Sequence, residues 1–189
     1  MAWHGGLLCC LGTYSPLRGC SCQAALPAAH SSRNGLYAIY SALPKVMYLL
    51  DTNVVSELRK PRKGKRGAID RNVSLWAAGV AVSTLYISSI TVLEIETGIL
   101  LAERKDRTKG DVLRSWLDSH VLTAFAGRIL PVDLAVARKC AGLHVPDRME
   151  DRDALIAATA LVHGMTIVTR NVGDFEPSGV PLLNPWLSR

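Results

Sequence analysis

The chain has 189 residues, 49% hydrophobic and 20% charged, with a formal net charge of +6. That length and balance suit one soluble globular domain with a substantial core, and no apolar run nears the roughly 18 residues a membrane-spanning helix requires. A mild positive excess suits a polyanionic partner.

Residues 1–46 read unlike the rest. They carry Arg18, Arg33 and Lys45 but no acid, and they hold Cys9, Cys10, Cys20 and Cys22. No histidine or further cysteine stands at zinc-finger spacing. The short run Leu7 to Leu11 follows no basic residue, unlike a secretory signal. The composition is that of a disordered leader or a translated upstream region, with Met47 as the physiological start and 47–189 as the folded domain. Only Cys140 lies in that domain, as a reduced, cytoplasmic location requires.

The domain opens on an apolar run, Val46 to Leu50, that ends in Asp51-Thr52-Asn53. Such a run reads as a strand buried on both faces, and ligands of open α/β sheets gather beyond the carboxyl ends of these strands. Asp51 stands there, although Asp, Asn and Thr also cap helices. Next comes a basic run from Arg59 to Arg66, broken by Pro61 and Gly64, which reads as a loop. It is either solvated surface or a contact for RNA or a partner.

A helix is expected from Asn72 to Ala81, then a strand at Leu85 to Ser88. Ser89 is expected to cap a helix running into Lys105, and one further helix is expected from Lys109 to Phe125, with Val112, Leu113, Trp116, Leu117, Val121 and Leu122 on one stripe. Trp76 and Trp116 fall on apolar stripes, in the core or a dimer interface. Arg128 to Val132 reads as a strand, and Asp133 as the cap of a helix reaching Leu143. Asp153 is expected to open the apolar helix that Gly164 closes. Met165 to Val168 reads as a strand ending in Thr169-Arg170-Asn171, and Val180 to Leu183 as a short last one. Alternating strands and helices imply a three-layer α/β/α sandwich around a mainly parallel sheet.

Four acids then fall at one rim: Asp51 after the first strand, Glu94 one turn into the helix after the second, Asp153 at a helix start, and Asp174 after the fourth strand. Parallel strands share one carboxyl edge, so these side chains can converge. Converged carboxylates repel and call for a cation, and oxygen donors alone favour Mg²⁺ or Mn²⁺. Glu96 lies about 200° around the helix from Glu94 and faces away from the site. Gly98 lies on Glu94's side. No serine, cysteine or histidine competes as a nucleophile, and His120 and His163 read as helix-surface residues. Asp151 falls outside the apolar register of its helix and reads as a decoy.

These residues carry a resemblance. Met47-Tyr48-Leu49-Leu50-Asp51-Thr52-Asn53-Val54-Val55-Ser56-Glu57 resembles the opening motif of PIN-domain ribonucleases, above all the VapC toxins of type II toxin–antitoxin systems and their FitB-like branch. The segments Ser89 to Gly98, Asp153 to Ala160 and Thr169 to Phe175 resemble the second, third and fourth motifs, and Asn184-Pro185-Trp186 a common ending. The resemblance implies Mg²⁺-dependent cleavage of RNA, Mn²⁺ substituting, with Asp51, Glu94 and Asp153 as ligands. Thr52 and Asn53 would support the site, and Thr169 would orient a ligand or phosphate. Some family members carry Asp where this chain has Asn171, so Asp174 takes the fourth place as a shared or supporting ligand. The resemblance further implies a homodimer, a VapB-like antitoxin, operator DNA bound only through that antitoxin, and no membrane.

Two other readings stand beside it. Haloacid-dehalogenase-type phosphohydrolases also begin with an Asp after the first strand, but need a second acid where this chain has Asn53. A PIN-like scaffold that binds nucleic acid or a partner without cutting would need no metal.

Overall fold

Tyr48, Leu49 and Leu50 form the central strand β1 (Tyr48–Leu50) of a five-stranded sheet. The computed structural model describes residues 46–61 and 67–187. The expectations for residues 1–45, and for the heart of the basic run, Arg62 to Arg66, fall outside them.

After β1 come α1 (Thr52–Leu58), α2 (Arg71–Gly79), a 3₁₀ turn (Val82–Thr84) and β2 (Leu85–Ser88). Then follow α3 (Ser89–Lys105), α4 (Arg107–Trp116), a π-helical turn (Leu117–Val121), α5 (Leu122–Ala124) and β3 (Ile129–Leu130). The chain closes with α6 (Leu134–Leu143), α7 (Asp151–His163), β4 (Thr166–Val168), α8 (Val172–Phe175) and β5 (Leu182–Leu183).

The strand order is β3-β2-β1-β4-β5, with every neighbouring pair parallel. Successive residues of a strand point to opposite faces, and the two cores follow from that. Leu49 and Ile167 pack on one face with Val136, Ile156, Ala157 and Phe175 from α6, α7 and α8. Leu50 and Val168 pack on the other with Val54, Ile95, Ile99 and Leu117. The result is the expected three-layer sandwich. Because the chain first steps outward from β1 to β3 and then returns to β1's other side, the strand order reverses between β1 and β4. Ligands of open α/β sheets bind at that reversal, beyond the carboxyl ends.

Several boundaries differ from expectation, each for a local reason. Ser88, not Ser89, caps α3, its hydroxyl accepting from Thr91 N at 2.9 Å. Glu150 caps α7 by accepting from Arg152 N at 2.8 Å and Asp153 N at 3.0 Å, so the helix starts two residues before Asp153. Asp133 caps α6 through Val136 N at 2.9 Å, and Gly164 closes α7 with φ of +63°, a left-handed angle that glycine adopts without penalty. The single helix expected from Lys109 to Phe125 runs from Arg107 to Ala124, its α-helical pattern interrupted by the π turn at Leu117–Val121. That turn buries Leu117 and Val121 together, while Val112 stays 63% exposed and leaves the expected stripe.

Gly110 sets how closely α4 approaches α3. A Cβ there would lie 2.6 Å from the Glu103 backbone Cα. The approach brings Arg114 of α4 to Glu103, at 3.1 Å, and to Glu96. Glu96, expected to face solvent, is therefore half-buried in an ion pair. In α1, buried Glu57 accepts from Lys60 Nζ at 2.7 Å and Asp70 N at 2.8 Å. Burial alone would raise its carboxyl pKa, but these bonds outweigh burial and hold it below the ordinary value. Ile69 N donates to Pro61 O at 3.1 Å. Among the described residues, no helix is long and apolar enough to cross a membrane.

Candidate active site

Asp51 follows β1 and Thr169 follows β4, so the two meet across the strand reversal. Asp51 is 7% exposed and gripped from three sides. Its Oδ1 accepts from Thr52 N at 2.6 Å, and its Oδ2 accepts from Asn53 Nδ2 at 2.6 Å and from Thr169 Oγ1 at 2.7 Å. Capping of α1 and membership of the acidic rim are thus both true of this residue.

Asn53 works as a clamp. Its Nδ2 also reaches Thr169 Oγ1 at 3.1 Å, and its Oδ1 accepts from Arg170 N at 3.3 Å. The position holds a donor to Asp51 rather than an acid, which leaves the phosphohydrolase reading without its general acid. Asn171 contributes through its backbone, its N–H donating to Thr169 Oγ1 at 3.0 Å. Thr52 carries the network to α3, its hydroxyl donating to Glu94 Oε2.

Asp153 sits in the first turn of α7, where a negative charge favours the helix dipole. Its backbone N–H is satisfied by Glu150, while no donor among the described residues bonds its carboxylate. Asp174, on the short helix α8, is exposed.

The electrostatics tie these acids together. Burial, first, and then the charges of Glu150, Asp51, Asp174 and Glu94 push the Asp153 carboxyl up to about 6. Burial also raises Asp51; the bonds from Thr169 and Thr52 oppose it, and Glu94 and Asp174 add to it. Asp51 and Asp153 therefore each stand close enough to Glu94 and Asp174 to feel their charge, and Asp153 also feels that of Asp51. Among the described residues, no three His, Cys, Asp or Glu side chains close tightly enough to make a ready-formed metal shell.

Asp151 stands apart, 64% exposed and paired with Arg148 at 3.0 Å and with His144 at 3.9 Å. The Arg148 guanidinium holds its carboxyl below the ordinary value. Sequence reasoning missed two groups at the rim. Arg152 Nη1 stands 3.9 Å from Glu94 Oε1, a cation beside the cluster. Glu150 both caps α7 and raises Asp153. An acid three residues before Asp153 at a helix start is a capping signal that could have exposed the second.

The PIN-domain family model matches residues 48–176. The plasmid stability protein StbB of Pseudomonas syringae pv. tomato is 41% identical over 145 residues, covering 74% of this chain and 99% of that protein. The VapC ribonuclease Y4jK of Sinorhizobium fredii is 38% identical, covering 74% and 98%, and toxin FitB of Neisseria gonorrhoeae is 38% identical, covering 74% and 99%. The crystal structure of FitAcB from Neisseria gonorrhoeae superposes with a TM-score of 0.66 at 35% identity, over 75% of this chain and all of that one. With a parallel sheet that reverses between β1 and β4, acids gathered at its carboxyl edge and a family match across most of the domain, the chain belongs to the PIN-domain family.

Proposed function

We propose that this protein is a divalent-metal-dependent endoribonuclease, the cytoplasmic toxin of a type II toxin–antitoxin pair. The observation that carries the reading is the approach of Asp51, Glu94 and Asp174 to Asp153, whose carboxyl is pushed up to about 6 by burial first and then by these charges together with that of Glu150. Four acids with Arg152 as the adjoining cation leave a net negative pocket that a hard cation would neutralise. The donors are all oxygen, which fits Mg²⁺ or Mn²⁺. A cation between the carboxylates would remove their mutual repulsion. Asp51, Glu94 and Asp153 would hold the ion, with Asp174 supporting. When bound, it supplies positive charge beside a phosphodiester and makes a nearby water more acidic.

The chain's own residues do the rest. Thr52 N–H, Asn53 and Thr169 fix the direction of the Asp51 carboxylate, and each of its oxygens accepts within the network before any substrate arrives. Thr52 orients Glu94 in the same way. Arg152 is placed to meet a phosphate oxygen, since its guanidinium already stands at the edge of the acids. The VapC and FitB likeness supports a VapB-like antitoxin as the protein partner, a homodimer, and DNA bound only through the antitoxin.

The test is cleavage of RNA by the purified chain. Activity in Mg²⁺ should vanish with a chelator and return with Mn²⁺, and Asp51→Ala should abolish it without changing the circular-dichroism spectrum. Cleavage at the parent rate by Asp51→Ala would overturn the reading.

A further inference from the structure

Beside the carboxylates lies a groove of about 300 Å³ that shares Thr52 and Glu94 with them. Three helices wall it. Thr52, Ser56 and Arg59 stand at spacings of four and three along α1, hence on one face, and Arg59 keeps helical backbone angles at the end of that helix. Glu94 and Gly98 line the second wall from α3, and Leu113 and Trp116 the third from α4.

Two turns along α1 from Thr52, the Arg59 guanidinium lies over the Trp116 ring, 5.5 Å from its centroid. Among the described residues, no carboxylate pairs with Arg59. Arg59 is exposed, and a guanidinium layered on an indole offers a flat, positive platform. Gly98 leaves the opposite wall bare, because a Cβ there would meet nothing within 4 Å.

We infer that this groove receives an unpaired nucleotide of the RNA substrate, next to the phosphate that a cation at the carboxylates would meet. Its base stacks on the Arg59–Trp116 layer, and the same arginine attracts the neighbouring phosphate. Unpaired RNA bases are commonly recognised by stacking on aromatic rings and guanidinium planes. Because Thr52 and Glu94 line the groove as well, it adjoins the place where a strand would cross the acids. This inference rests on the nuclease reading above and assigns Arg59 and Trp116 to substrate binding, not to the chemistry.

The experiment uses the full chain, a short fluorescein-labelled RNA of random sequence, and anisotropy in chelator so that nothing is cut. Arg59→Gln and Gly98→Leu should each weaken binding about tenfold, the scale of one lost base stack. In Mg²⁺ they should raise KM and keep kcat. Gly98→Leu should keep or raise the melting temperature, since leucine favours a helix over glycine and here meets open space. Arg59→Lys should restore the salt dependence of binding but not its full strength, because ammonium keeps the charge and loses the stack. Parent-like RNA binding and KM in Gly98→Leu would overturn the inference while leaving the nuclease intact. So would a Gly98→Leu variant that cuts RNA normally but escapes its antitoxin, which would make the groove a protein-docking site. A parent chain that neither binds nor cuts RNA would instead sink the nuclease reading itself.

Discussion

The two halves of the acidic rim are held in different ways. On the β1/β4 side, Asp51 is buried and three donors aim its two oxygens. On the α7/α8 side, Asp153 and Asp174 have no donor on their carboxylates among the described residues. A carboxylate gripped by its neighbours keeps its direction before any ion arrives. One fixed only through its backbone takes its direction from the charges around it. The first half is preorganised, and the second adapts to what binds.

The largest contrast should come from neutralising one acid in each half. Asp51→Asn should cut RNA cleavage about 10²–10³-fold, the scale for losing one preorganised electrostatic group. Asp174→Asn should cost only about tenfold, as for an outer supporting group. Single-turnover assays in Mg²⁺ compare them directly, and equal losses would erase the distinction between the halves.

Thr169→Val probes the grip itself. It removes a donor from Asp51 and an acceptor from Asn53 and from Asn171 N–H. Activity should fall about 10- to 100-fold and stability by about 1–3 kcal/mol, the cost of leaving buried polar groups unmatched. Chemical denaturation beside the activity assay reads both.

The adaptable half should respond to pH. Asp153 titrates at about 6 in the folded, metal-free chain, against about 3.9 when unfolded. Between those values the folded state binds more protons, so this group's contribution to stability is full below the lower value and is lost as pH rises through about 6. Asp153→Asn should flatten that slope in melting temperature against pH. The same proton opposes a cation, so Mn²⁺ binding should weaken as pH falls below about 6. The smallest effect belongs to Asp151, which answers to Arg148 and His144 instead of the rim. Asp151→Ala should leave cleavage within about twofold of the parent, as expected of a surface change away from the site.

The sandwich was legible because β1, β2 and β4 are apolar runs that stop at polar residues, and that pattern survives any detail of packing. The places of the four acids in the chain were legible for the same reason, since each stands after a strand or early in a helix near the same edge. Their unequal anchoring was not. It depends on Asn53 and Thr169 meeting across 116 positions of chain, and no local spacing encodes that. The π turn at Leu117 also escaped, because an unbroken apolar stripe and one with an extra residue in a turn read alike. Glu96 escaped because its partner, Arg114, arrives only when Gly110 lets α4 lie against α3.

The most direct test of a shared ion is Mn²⁺ titration, followed by electron paramagnetic resonance, in the parent, Asp51→Asn and Asp153→Asn. If both halves of the rim hold the same ion, each substitution should weaken binding at least about tenfold, although one carboxylate follows β1 and the other lies on α7. Parent-like Mn²⁺ affinity in either variant would contradict it.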